Sequence, residues 1–120
     1  MLNDLALLKT ASAMATHAAR RHTVIAENIA NADTPGYKAQ DTQAFSDIYS
    51  HAVRENKDIS KLAAASKLID MDSPASPNGN TVSLEGQMLK STEAVGQHEM
   101  ALAIYRKTMD MMKMAIGKNM

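Results

Sequence analysis

The chain has 120 residues, 45% of them hydrophobic, but the apolar set is Ala, Leu, Ile, Val and ten Met, with one Phe, three Tyr and no Trp. Such residues fill long, thin helix seams better than a thick globular core. Thirteen basic and thirteen acidic side chains cancel, so nothing draws the chain to a nucleic-acid backbone or an anionic membrane, and the lack of cysteine excludes disulfides, thiolate zinc sites and thiol chemistry.

The opening Met1-Leu2-Asn3-Asp4 has neither the positive charge nor the unbroken apolar stretch of a cleavable secretion signal. No later run approaches the ~20 apolar residues that span a bilayer. If the chain is exported, another route is required.

Roughly residues 4 to 30 read as one long helix, because Leu8, Ala11, Ala15, Ala18, His22, Ile25 and Ile29 recur at alternating steps of three and four. Asn3 is placed as its N-cap, with Leu2 and Leu7 as a hydrophobic staple. The alanines make a shallow stripe that admits a close neighbour but buries little area alone. Further on, Phe45, Ile48, Tyr49, Ala52 and Val53 share one face of a short helix, and Ile59 to Ile69 reads as another. Asp72 to Asn80 reads as a flexible linker, since its prolines and Asn-Gly step continue neither regular structure.

A second long helix is expected from about Val82 to Ile116, where Leu84, Met88, Ser91, Val95, His98, Leu102, Tyr105, Met109, Met112 and Ile116 hold the same rhythm without a break. Asn80, Thr81 and Ser83 offer caps, Glu85 suits the positive end of the helix dipole, and Lys113 and Lys118 flank the negative end near Gly117. At ~1.5 Å per residue this helix is on the order of 50 Å long. The fold class is thus all-α. Residues 1–32 form an N-terminal coiled-coil helix, residues 33–80 a short, partly irregular middle, and residues 81–120 a C-terminal coiled-coil helix. A 3.5-residue repeat suits an intersubunit coiled coil. Periodicity leaves open an antiparallel hairpin in a monomeric bundle.

Candidate chemistry is sparse. His17 and His22 are five apart, about 140° around a helix, which suits no shared metal ion. His51 is a further candidate by residue type alone, and His98 falls in the heptad seam. Glu85, Glu93 and Glu99 read as a solvated or intersubunit-paired helix face, and no nucleophile elbow, phosphate loop or dinucleotide fingerprint occurs. Arg20-Arg21-His22 has no acidic cluster nearby in sequence and reads as a charged helix face or a subunit contact. The methionines at 109, 111, 112 and 114 read as adaptable packing. No catalytic residue, cofactor or metal is expected.

The most informative stretch is Asn28-Ile29-Ala30-Asn31-Ala32-Asp33-Thr34-Pro35-Gly36-Tyr37-Lys38-Ala39. Thr34-Pro35-Gly36-Tyr37 has the form of a type II turn, with proline fixing φ at the second position and glycine accepting positive φ at the third. Asn31 or Asp33 is placed to bond the exposed backbone groups around the helix end. The whole phrase, about thirty residues from the start of a heptad-patterned chain, closely resembles the N-terminal signature of flagellar rod, hook and hook-associated axial proteins. Gly79-Asn80-Thr81-Val82-Ser83-Leu84-Glu85, followed by Met88 and Tyr105, resembles the start of that family's C-terminal helix, with Gln87 standing where these proteins often carry Glu.

Short length, the small middle and the Met109-to-Ile116 ending look most like a proximal rod member. The resemblance implies a structural subunit exported through the flagellar type III apparatus without a cleaved signal. Its implied place is the basal-body rod that spans the periplasm. Its implied partners are copies of itself, other rod proteins and the membrane-ring junction at the base. The implied work is mechanical: transmitting torque while keeping an export channel open. In such a rod, Leu8, Ile25, Ile29, Leu84, Met88, Val95, Leu102, Tyr105, Met109, Met112 and Ile116 are the expected assembly seam, and Asn28, Asn31, Asp33, Thr34, Pro35, Gly36 and Tyr37 the expected turn motif. The alternative is a soluble helical adaptor or chaperone-like binding module whose heptads serve another partner.

Overall fold

The computed structural model describes residues 2–118. Two long helices, α1 (Leu2–Ala30) and α4 (Leu84–Lys118), lie side by side along a body measuring 67 × 28 × 15 Å. They run antiparallel, because Asn28 meets Gln87 and Met14 meets Gln97. Between them come β1 (Gln40–Thr42), α2 (Phe45–Glu55), α3 (Ile59–Ala64) and β2 (Leu68–Asp70).

Within the chain the seam between the two long helices is made largely of small or polar residues. On α4 the buried residues are Gln87, Ala94, Ala101 and Thr108, each seven after the last, and α1, which packs along α4, has Ala11, Ala18 and Ile25 buried at the same spacing. Small side chains on both helices let the backbones approach closely. The bulkier heptad one residue on is displaced to the flank: Met88 and Val95 are exposed, and Leu102 and Met109 half-buried.

Helix boundaries follow local chemistry. Since α1 is already helical at Leu2, Asn3 sits inside the helix and is not its cap. The expected staple involves the side chain of Leu2, which lies outside the described residues. The helix stops at Ala30, before Pro35 and its restricted neighbour Thr34. Ser83 caps α4, its Oγ accepting the Gly86 amide at 3.2 Å. The helix then runs through Gly117 to Lys118.

The middle is more ordered than a chain of loose helices. Ile48, Ala52, Ile59 and Ala63 close on Ala13 of α1, with Phe45 and Leu62 packed against them, to form the one compact apolar cluster of the described residues. Tyr49 and Val53, expected on the same face, point outward. Asn56 ends α2 in the left-handed conformation at φ 50°, which asparagine tolerates, and Asp58 caps α3 by accepting the Ser60 amide.

Residues 68–70 are not helical: they pair antiparallel with β1, Gln40 opposite Asp70 and Thr42 opposite Leu68. The all-α expectation is corrected by this small sheet. Three-residue strands containing Gln and Asp carry almost no periodic or propensity signal.

Candidate functional site

The turn after α1 has the expected geometry. The Tyr37 amide donates to the Thr34 carbonyl at 3.2 Å, and Gly36 has φ 74°. Asn31 prolongs the helix end, its Nδ2 donating to the Glu27 carbonyl at 2.8 Å while its Oδ1 accepts the Thr34 hydroxyl at 3.0 Å. Asp33 and Pro35 are exposed.

What the sequence did not reveal is that the supposed flexible linker closes on this turn. Asn80, buried at the foot of α4, donates both amide hydrogens into it: to the Asn31 carbonyl at 2.8 Å and the Thr34 carbonyl at 2.7 Å. Its Oδ1 accepts the Val82 amide at 2.8 Å, setting up the approach to α4. Backbone bonds from Gly36 to Asn78 and from Thr81 to Tyr37, together with the Ala39 amide on the Thr81 hydroxyl, complete a clasp. Gly79, at φ 85°, lies so near that an added Cβ would stand 3.4 Å from the Gly36 Cα. The prolines and Asn-Gly step continue neither helix nor strand, and the end of the loop they form is hydrogen-bonded to the turn.

Beneath the clasp sits Asn28, 0% exposed. Its Nδ2 donates to the Gln40 carbonyl at 2.7 Å and to the Gln87 Oε1 at 3.0 Å, while its Oδ1 accepts from the Gln40 amide and the Tyr37 hydroxyl. Both faces of the amide are therefore satisfied, which removes the desolvation penalty of its burial. Gln87 in turn donates to the Met71 sulfur. One asparagine thus joins α1, β1, the turn and α4.

A second joint lies farther along α1. Arg21 bonds Asp41 of β1 and Glu93 of α4, and Lys90 reaches the same Asp41 at 3.2 Å. Arg20 grips Ser66 through hydroxyl and carbonyl. The basic pair is therefore matched within the chain, by partners too distant in sequence to be seen there. Burial pushes the Asp41 carboxyl up, but the Thr42 amide, Arg21 and Lys90 outweigh it and hold the group below its ordinary value of 3.8.

Buried His17 spans the same joint. Its Nδ1 accepts from the Gln97 amide at 2.8 Å, leaving its Nε2 proton for the Gln43 carbonyl at 2.7 Å, with the Phe45 ring 5.6 Å away. Burial lowers its pKa, outweighing the Gln43 carbonyl, with Arg21 adding to the lowering. His22 and His98 are half-buried, and His51 pairs with Glu55. No three His, Asp or Glu side chains cluster as a metal site among the described residues.

The expected seam residues divide. Ile25 is buried inside the chain, and Leu8, Leu102, Met109 and Met112 are half-buried. Ile29, Leu84, Met88, Val95, Tyr105 and Ile116 present large apolar surface outward, Met88 being 67% exposed.

A clasped turn joining two long helices whose outer flanks carry apolar residues marks a subunit built for assembly. Residues 8–38, ending just past the turn, match the model of the family described as flagella basal body rod protein. The chain belongs to the flagellar basal body rod proteins. It is similar to flagellar basal body rod protein FlgB of Salmonella typhimurium, with 30% identity across 72% of this chain and 75% of that protein. Its role is accordingly structural, in the basal-body rod.

Proposed function

We propose that the chain is a proximal rod subunit, a section of the flagellar drive shaft that carries torque from the motor ring to the distal rod and hook. In this reading it leaves the cytoplasm through the flagellar type III apparatus without a cleaved signal. It packs against copies of itself, other rod proteins and the ring junction at the base, and helps line the export channel of the periplasm-spanning rod.

The supporting observation is the inverted distribution of side chains on α4. Its inward stripe is small or polar, Gln87, Ala94, Ala101 and Thr108, whereas Leu84, Met88, Val95 and Ile116 lie exposed on its flanks and far end. Burying one such large side chain is worth about 1.5–3 kcal/mol. A helix arranged this way gains most of its burial from neighbouring subunits, as a rod under torque requires. The clasp gives each subunit a fixed corner from which its helices leave at a set angle.

Deletion of the gene in its own bacterium, with imaging of basal bodies and scoring of motility, tests the proposal. Membrane rings without rod or hook, restored by the returned gene, are the expected result. Intact flagella on the deletion strain would refute it.

A further inference from the structure

We infer that Asn78 is a self-modification site: its side chain closes on the Gly79 amide to a succinimide that opens mainly to isoaspartate, and the clasp holds this reaction off for as long as it stays shut.

The sequence supplies the reactants. Asn78 is the chain's only asparagine followed by glycine. With no Cβ on Gly79, its amide nitrogen meets little steric barrier in approaching the neighbouring side-chain carbonyl. In the reaction the Gly79 nitrogen gives its proton to solvent base and bonds to the Asn78 Cγ. The Cγ–Nδ2 bond breaks, and ammonia leaves with a proton taken from water. Water then opens the ring at either carbonyl, to aspartate or to isoaspartate. The sum is an amide and water giving an acid and ammonia, with no oxidant or cofactor required.

The structure holds both reactants back. Asn78 is exposed to water and base, yet each group that must move is bonded. The Gly79 amide donates to the Ser76 carbonyl at 2.8 Å, which holds the proton that attack requires it to lose. The Asn78 Oδ1 accepts the Asn80 amide at 3.0 Å, which fixes the orientation of the carbonyl to be attacked. The Asn78 backbone carbonyl accepts the Gly36 amide at 2.9 Å, so the rotation that swings the Gly79 nitrogen onto Cγ must first part the loop from the turn. Reaction therefore proceeds from the open clasp, at a rate set by how often the clasp opens.

The product cannot close again. Isoaspartate carries the main chain through the former side chain, adding a methylene between residues 78 and 79 and turning the carbonyl that received Gly36 into a free carboxylate. Asn80 is thereby displaced from the Asn31 and Thr34 carbonyls that it bonds. Modification makes a transient opening between the turn and the foot of α4 permanent.

The test is to incubate the purified full chain in mildly alkaline buffer, folded and in urea, and to follow amide loss at each asparagine by peptide mass spectrometry. An isoaspartate-specific methyltransferase identifies the isomer. The unfolded chain should lose the Asn78 amide before its other asparagines, and at least roughly tenfold faster than the folded chain does. Asn80→Ala and the milder Thr81→Val remove bonds across the clasp but leave the Asn78-Gly79 step in place, and both should raise the folded-state rate. The isoaspartate form, separated by ion exchange, should melt below fresh protein, whereas Asn78→Ser incubated alike should not change. Equal rates in the folded and unfolded chain, a folded-state rate unmoved in both clasp variants, or another asparagine reacting first in urea would overturn the inference. An isoaspartate form that melts with fresh protein would overturn it as well.

Discussion

The side chains of Asn28 and Gln87 meet at 3.0 Å, the Asn28 Nδ2 donating to the Gln87 Oε1, although 59 residues separate them in the chain. Both are buried, so water cannot replace either partner cheaply. Their bonding is unequal: Asn28 serves the Gln40 backbone and Tyr37 as well, whereas Gln87 adds only the Met71 sulfur. Asn28→Leu should therefore cost about 3 kcal/mol, and Gln87→Leu about 1–2 kcal/mol. Urea unfolding followed by circular dichroism measures both. Equal losses would show that the network is not centred on Asn28.

Gly36 isolates the effect of backbone conformation. Nothing lies within 4 Å of a Cβ added there, so substitution meets no clash and is opposed only by φ 74°. Gly36→Asn should be tolerated better than Gly36→Ala, and Gly36→Val worst, with penalties of roughly 1–2 kcal/mol for alanine and more for valine. Thermal melts give the order, and motility of the Val strain should be lost as the clasp loosens and incorporation fails. Normal swimming from that strain would separate the turn from rod assembly.

Legibility in the sequence depended on the range of the interactions. The two long helices and the turn rest on contacts a few residues apart, so periodicity and the Pro-Gly pair revealed them. Asn80 was legible only as a possible cap, because its two bonds go to carbonyls 46 and 49 residues away. The β1–β2 pairing and the Arg21–Asp41–Lys90 joint were hidden for the same reason. The intrachain stripe on α4 is hidden in the sequence because the larger side chains one residue on outweigh its alanines in any apolar pattern. Close packing against the alanines of α1 favours the smaller set.

Acid should weaken the fold in two separate ranges. His17 has a folded-state pKa below the ordinary 6.5, so between the two values the unfolded chain binds a proton that the folded chain refuses. Its contribution is present above pH 6.5 and declines as pH falls through that window. Protonation also sets the Nδ1 hydrogen against the Gln97 amide, which cannot turn over without losing its bond to the Met14 carbonyl. Asp41, depressed below 3.8, adds stability that is lost only below that pH. Stability measured by urea titration from pH 7.5 to 3 should fall through the upper range in the wild type and flatten there in His17→Gln, while Asp41→Asn, which breaks the bonds to Arg21 and Lys90, should lower stability at neutral pH and flatten the decline below pH 3.8. A pH slope unchanged in His17→Gln would mean that another group titrates in the upper range.

The inner and outer heptads of α4 predict opposite phenotypes from neighbouring positions. Met88 and Val95 are exposed, so Met88→Asp and Val95→Asp should change the stability of the isolated chain by no more than about 0.5 kcal/mol. Their loss should appear instead in the rod, as subunits that are made and folded but absent from basal bodies. Ala94 and Ala101 are fully buried. Ala101→Met should destabilise the isolated chain by about 1–3 kcal/mol through overpacking. Melting curves and quantitative blots of purified basal bodies read the two effects independently. If Met88→Asp unfolds the chain, or Ala101→Met leaves its stability intact, the division of α4 into an intrachain stripe and an assembly flank is wrong.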